Sequence, residues 1–267
     1  MLEVKNIKKV FYPGTPEENI VFEDFSLKVN ENECTTILGP NGCGKSTLFN
    51  IISGSIKEDL GEIFLGDVNL GVLPEQERAK YIGKVYQDPS MGVSSGLNIM
   101  ENMSMALKKG QKFSFKKLVR KENKDFIEFK LSELGLGLEN KLNTKVKFLS
   151  GGQRQSLSLL MATLRRPEIL LLDEHTAALD PKTSKLIMDK TVELIKREKI
   201  TTMMITHNLS HAIEYSDRII MLNKGQITLD VKAKDITEQE LVEIYNRKIE
   251  DIELIALNCQ IKCNSVE

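Results

Sequence analysis

The stretch Thr35-Thr-Ile-Leu38 followed by Gly39-Pro-Asn-Gly-Cys-Gly44-Lys45-Ser46-Thr47 constrains this chain more than any other. It fits G-x-x-x-x-G-K-[ST] and stands in the context that gives the pattern meaning. A predicted strand precedes it, and a predicted helix with apolar Leu48, Phe49, Ile51 and Ile52 follows. Glycines at this spacing let backbone N–H groups turn inward around phosphate oxygens, and a helix N-terminus adds positive potential. Lys45 is then placed to reach the β- and γ-phosphates, and the Ser46 hydroxyl to ligate Mg²⁺. Pro40, Asn41, Gly42, Cys43 and Thr47 complete the cradle. Position 43 needs only a small side chain, so no thiol chemistry is expected of Cys43. A ligand-free strand-to-helix turn would have no need of Lys45-Ser46 in register.

A phosphate cradle of this type needs an acid at the end of an apolar strand to share the metal. Ile169-Leu-Leu-Leu-Asp173-Glu174 offers two. Asp173 is placed to hold Mg²⁺ through water, as hard oxygen coordination favours. Glu174 would point to the γ-phosphate, where it can polarise an attacking water. Alone, an acidic pair here could serve solvation. Beside the Gly39 loop it reads as a site.

The apolar pattern sets the fold class. Ile169 to Leu172, Thr202 to Ile205 and Ile219 to Leu222 are short and continuously apolar, with helical segments between them, as in a parallel sheet covered on both faces. Before them Phe25, Leu27 and Val29 alternate like a half-buried strand, and Glu62 to Leu65 and Ile82 to Tyr86 read similarly. From Leu97 to Leu134 the period becomes helical, through Leu97, Met100, Met103 and Leu107, then Phe126, Ile127, Leu131 and Leu134. The expectation is α/β with a helical insertion inside one core, and one helix in a weakly structured tail after Asp235.

Bulk properties exclude several alternatives. A net charge of −1 over 267 residues argues against a general nucleic-acid binder. No apolar run approaches the roughly 18 residues that span a bilayer. Met1-Leu-Glu-Val-Lys5 alternates like a strand rather than opening a signal peptide. Cys34, Cys43, Cys259 and Cys263 form no disulfide framework, so a reducing cytoplasm is expected. Cys259 and Cys263 alone offer too few ligands for a metal.

A second phosphate-like helix start lies about a hundred residues after the first. Ser150-Gly151-Gly152-Gln153 has the capping-box spacing, and predicts a helix to Leu164 that buries Leu157, Leu160 and Met161. Capping alone does not explain two glycines in the first turn, where they cost helix stability. Glycines there allow a ligand to approach closely, and the dipole favours an anion.

Leu149-Ser-Gly-Gly-Gln-Arg-Gln155 resembles the signature motif of ATP-binding-cassette ATPases, and the other family elements follow in order along nearly the whole chain. The resemblance implies a P-loop (RecA-like) core with an N-terminal antiparallel β-subdomain and an inserted helical subdomain at about 90–165. It implies a single domain over 1–235 and a short extension over 236–267. It implies ATP and Mg²⁺, and a head-to-tail homodimer in which the signature of one chain (Ser150, Gly151, Gly152 and Gln153) caps the γ-phosphate held by the other.

By the same resemblance, Gln87 links γ-phosphate and metal to the helical subdomain, Asp180 communicates across the dimer, and His207 contacts γ-phosphate. Phe11 or Tyr12 stacks on adenine. His175 stands where the family often has proline. Tyr81 to Pro89 and Asp173 to Thr183 look like one bacterial importer group, with relatives assigned to aromatic amino acids such as tyrosine or tryptophan. Such chains work on the cytoplasmic face of the membrane, with an integral permease and an extracytoplasmic binding protein, and not with nucleic acid. The alternative is a soluble cassette protein such as an iron–sulfur assembly ATPase.

Two further features stand out. Met91, Met100, Met103 and Met105 follow Gln87 closely, as core filler or as the lining of a groove for a permease helix. Lys108 to Lys121 is basic, as a solvated face or as a contact for anionic lipid.

Overall fold

The computed structural model describes residues 1–111 and 118–247. Cys259, Cys263, most of the expected extension and the middle of the lysine-rich stretch lie outside the described residues.

Among the described residues two sheets carry the fold. The chain opens with antiparallel β1 (Leu2–Phe11) and β2 (Asn19–Val29), pairing Leu2 with Val29 and Val4 with Leu27. It then passes through β3 (Cys34–Leu38), buried at every position, into α1 (Lys45–Ser53). β4 (Leu60–Leu65) returns to the other edge of β1, and the short β5 (Val68–Asn69) completes the order β2-β1-β4-β5. The expected N-terminal antiparallel layer is this sheet.

The second sheet takes α2 (Glu75–Arg78) as its approach and adds β6 (Ile82–Val85), β7 (Ile169–Asp173), β8 (Thr201–Ile205), β9 (Arg218–Asn223) and β10 (Gln226–Lys232). Its order is β10-β9-β3-β8-β7-β6, parallel from β9 to β6. The parallel strands are buried at most positions and largely apolar, because both faces are covered. β10 is antiparallel to β9, and sequence analysis did not anticipate it. Its period-two alternation of Ile227, Leu229 and Val231 with polar neighbours is the edge-strand signal that was there to be read.

Three helices share a separate apolar cluster. α3 (Ile99–Leu107), α4 (Lys124–Ser132) and α5 (Gly151–Thr163) bring together Ile99, Met103, Ile127, Leu131, Leu157 and Leu160. The expected helical face beginning at Leu97 starts later. Asn98 accepts from Glu101 N, and the Glu101 carboxylate accepts from Asn98 N, so this capping box sets α3 to begin at Ile99. Phe126, expected on the buried face, is exposed. Beyond β7, α6 (Pro181–Glu198) and α7 (Leu209–Tyr215) cover the sheet. Residues 238–247 form helix α8, which sets Leu241 against Leu38, Ala212 and Ile219. No helix among the described residues is long and apolar enough to cross a membrane.

This order matters for the site. β3, β8 and β7 are adjacent and parallel, so their carboxyl ends open on one edge. The Gly39 loop follows β3, Asp173 ends β7, and His207 lies just past β8. Open parallel sheets bind ligands at such an edge.

Candidate functional site

The loop from Gly39 to Gly44 is built onto the end of β9. A Cβ on Gly39 would lie 2.2 Å from the Leu222 carbonyl oxygen, so this close approach admits only glycine. Cys43 O accepts from Gly225 N, a second tie to the β9–β10 turn. Lys45 is buried, and its Nζ donates to Gly39 O at 2.7 Å and Pro40 O at 2.9 Å. The ammonium is therefore held inside the curl of the loop. Helix α1 has no side-chain cap and no acid in its first turn, leaving its N–H groups and Lys45 as an anion-binding surface. Cys43 is buried too, and burial pushes its thiol pKa up, which keeps it an unreactive packing residue.

Ser46 and Asp173 come together from α1 and β7. Ser46 Oγ donates to Asp173 Oδ1 at 3.4 Å. Burial raises the Asp173 pKa, while Lys84 opposes the rise and Glu174 adds to it. A hydroxyl and a carboxylate from two elements are the hard donors Mg²⁺ takes, and a carboxylate with raised proton affinity gains from a cation beside it. The donor set fits Mg²⁺.

Glu174 is held most tightly. Its backbone has φ 44°, the left-handed region a non-glycine residue seldom adopts, and its N–H donates to Ile205 O at 3.0 Å. Its carboxylate is gripped from two sides. Gln87 Nε2 donates to Oε2 at 3.1 Å, and His207 Nε2 lies 2.9 Å from Oε1. Thus Lys45, Ser46, Gln87, Asp173, Glu174 and His207, spread over some 160 residues of sequence, close on one edge of the sheet.

The other expected residues stand apart from this group. Lys9 Nζ sits 5.4 Å over the Phe11 ring, occupying one face of it. Tyr12 is 67% exposed, and its carbonyl accepts from the Thr15 hydroxyl and amide, which holds the turn. Ser150 and Gln153 form the reciprocal capping box, each bond 3.2 Å, and no hydrogen bond among the described residues joins them to the Gly39 loop of the same chain. The two glycines between them differ. A Cβ on Gly152 would sit 2.5 Å from Thr183 Cγ2 of α6, so packing within the chain already demands that glycine, and a ligand's approach is not needed to explain it. Gly151 would meet only Leu179 Cδ2 at 3.5 Å, ordinary contact, and retains no such reason. Asp180 caps α6, accepting from Thr183 N at 3.0 Å, and hydrogen bonding from the Thr183 side chain and then its backbone holds the Asp180 carboxyl pKa below the usual range.

The methionines after Gln87 divide. Met100 and Met103 are buried in the helical cluster, which removes Met100 from any groove. Met91 and Met105 are exposed and, with Tyr86, Lys109 and Met161, line a cavity of about 300 Å³.

Sequence reading saw His175 only as a departure from the common pattern. It is buried behind Glu174, with Nε2 3.4 Å from the Thr191 hydroxyl, and all three histidines of the chain line one cavity of about 520 Å³ there. Burial, with His211 adding, pushes its pKa down from 6.5 to about 4. The unfolded chain binds the proton at 6.5 and the folded chain only near 4, so stability is full above 6.5 and falls as pH drops through that window. The loss amounts to about 3 kcal/mol by pH 4. Chemical denaturation at stepped pH should show a steeper acid loss for the parent chain than for His175→Asn. Parallel curves would remove His175 as the cause.

Comparison with known proteins places the chain in a family. The family profile described as ABC transporter matches residues 22–177. The chain is 46% identical over 248 residues to the tyrosine transport ATP-binding protein of Clostridioides difficile, covering 92% of this chain and 98% of that protein. It is 30% identical, over 96% of this chain and 98% of the relative, to a phosphonates import ATP-binding protein of Halalkalibacterium halodurans. A dimeric ATP-binding cassette in a post-hydrolysis state, bound to ADP and Pi, superposes with a TM-score of 0.74 at 30% identity, covering 87% of this chain and 99% of that one.

Proposed function

The chain belongs to the ABC transporter family as one of its ATP-hydrolysing subunits, and from that premise we propose that it powers the import of an aromatic amino acid, tyrosine foremost. The substrate rests on the clostridial relative. The catalytic reading rests on one observation above the rest: the Glu174 carboxylate, one residue past Asp173, is held between Gln87 and His207.

In this reading the Gly39 loop and Lys45 bind the phosphates of ATP, and Tyr12, whose ring is the more open, stacks on adenine. Ser46, Asp173 and Gln87 would hold Mg²⁺, which would neutralise phosphate charge. Glu174 orients and polarises the attacking water, with the carboxylate aimed by its two partners. His207 contacts the γ-phosphate. Two chains pair head to tail, with Ser150 to Gln153 of each closing on the nucleotide of the other and Asp180 at their junction. Gln87 passes the motion to the helical cluster. The cavity at Met91 and Met105 receives a short helix of an integral permease, which holds the chain at the cytoplasmic face, and an extracytoplasmic binding protein delivers the cargo.

The test is what the chain takes with it from the membrane. Tagged, solubilised in mild detergent with Mg-ATP, it should copurify with a multi-span permease and bring tyrosine uptake under its control. Met91→Ser combined with Met105→Ser should reduce that recovery at least about tenfold, as loss of a small apolar hot spot does, while isolated ATP turnover persists. Recovery of soluble partners alone would refute the transport reading.

A further inference from the structure

The segment from β6 to the loop beyond Gln87 is fastened along α5. A Cβ on Gly83 would lie 2.7 Å from Ala162 O, and one on Gly92 2.0 Å from Ser158 Oγ, so backbone and helix touch at both ends of this segment. Between them Gln155, 1% exposed, donates from Nε2 to Tyr86 O at 3.3 Å. Its Oε1 is buried and has no hydrogen-bond partner among the described residues.

A buried amide satisfied at one end only is a poor choice for packing. A methionine or leucine of similar volume would fill the space without the unpaired oxygen. The bond that is made has a particular address. Tyr86 C=O and Gln87 N–H belong to one planar peptide unit, so fixing that carbonyl fixes the direction in which the chain enters Gln87. Gln87 in turn donates to Glu174. Gln155 lies on the helix that begins at Ser150, two residues past Gln153. A path of direct contacts therefore runs from α5, whose start is proposed above to meet the neighbouring chain, to the Glu174 carboxylate.

We propose that Gln155 is a positioning residue, locking peptide 86–87 to α5 so that engagement of Ser150 to Gln153 by the neighbour's nucleotide sets Gln87 and Glu174 for hydrolysis. The proposal rests on the roles of Gln87 and Glu174 given above. It explains why one helix carries both a cap aimed outward and a buried glutamine aimed at the loop. The two sites of a dimer are then coupled through a backbone carbonyl rather than through side chains at the interface alone.

Steady-state hydrolysis by the full chain tests this with Gln155→Met, and with Gln155→Leu as the second variant. Loss of one hydrogen bond that matters at the transition state should lower kcat about tenfold and leave KM for ATP within about twofold. On a Gln87→Ala background the same substitution should change kcat less than about twofold, because the residue acts through Gln87. An unchanged kcat in Gln155→Met overturns the proposal, as does an equal loss on both backgrounds. Failure of both variants to fold makes Gln155 a core residue and overturns it too. Parent-like turnover in Gln87→Ala itself would instead bring down the site reading, and this proposal with it.

Discussion

Replacing Glu174 by glutamine should slow ATP hydrolysis by about 10²–10⁴ while leaving ATP bound, since that is the range a positioned general base contributes. The substitution keeps side-chain size and removes the charge. In the parent, both carboxylate oxygens are engaged, one by Gln87 Nε2 and the other beside His207 Nε2. An amide offers one acceptor and one donor, so it can satisfy only one of these nitrogens as an acceptor, and it cannot draw a proton from water. The phosphate loop, Lys45 and Ser46 are untouched, so binding survives. Phosphate release measured beside equilibrium nucleotide binding separates the two effects. Turnover within a few-fold of the parent would take the base away from Glu174.

Gly151→Asp should remove hydrolysis by about a hundredfold or more and at the same time hold or raise stability, a combination that few core changes produce. The site has room, with only Leu179 Cδ2 in contact at 3.5 Å. In the first turn of α5, an acid complements the helix dipole, and exchanging glycine for aspartate adds about 0.3 kcal/mol of helix propensity. Within one chain the change is favourable. It becomes harmful only if a phosphate from elsewhere must occupy that helix start, where the new carboxylate repels it. Thermal melting and ATP binding by the isolated chain should therefore look normal while turnover collapses. Parent-like turnover would mean that the second cradle serves no nucleotide. Gly152→Ala is a poorer probe, because its methyl group strikes Thr183 and mixes packing damage into the result.

How much of this was legible in the sequence depended on how local the physics is. The Gly39 loop could be read because strand, turn and helix follow one another, and each residue type answers to its own backbone position. Asp173-Glu174 could be placed because an apolar run ends there. The sheet order could not be read, since nothing local says that β3 lies between β8 and β9. β10 was missed although its alternation is clear, because attention to continuously apolar runs passes over a half-exposed edge. The start of α3 was set by Asn98 and Glu101, a stronger signal than the apolar Leu97 that drew the earlier boundary.

The site showed the same division. Gly152 has a second reason to be glycine that no local signal gives, the close approach of Thr183, 31 residues away in sequence and adjacent in space. Met100 and Met105 both follow Gln87 on one helix, yet one faces the core and the other solvent. His175 and Gln155 lie inside stretches that carry the family resemblance, but nothing local gives either a role of its own, and their environments exist only once α5 and α6 are packed.

The central claim is that the two cradles of one chain serve two nucleotides, each shared with a second copy. Sedimentation of Glu174→Gln tests it most directly, since that protein should bind ATP without spending it. Without nucleotide it should run as a single chain of 30.2 kDa. With Mg-ATP it should run at twice that mass with one ATP per chain, and adding Gly151→Asp should return it to the single chain with ATP still bound. A chain that remains at 30.2 kDa while saturated with Mg-ATP would contradict the account.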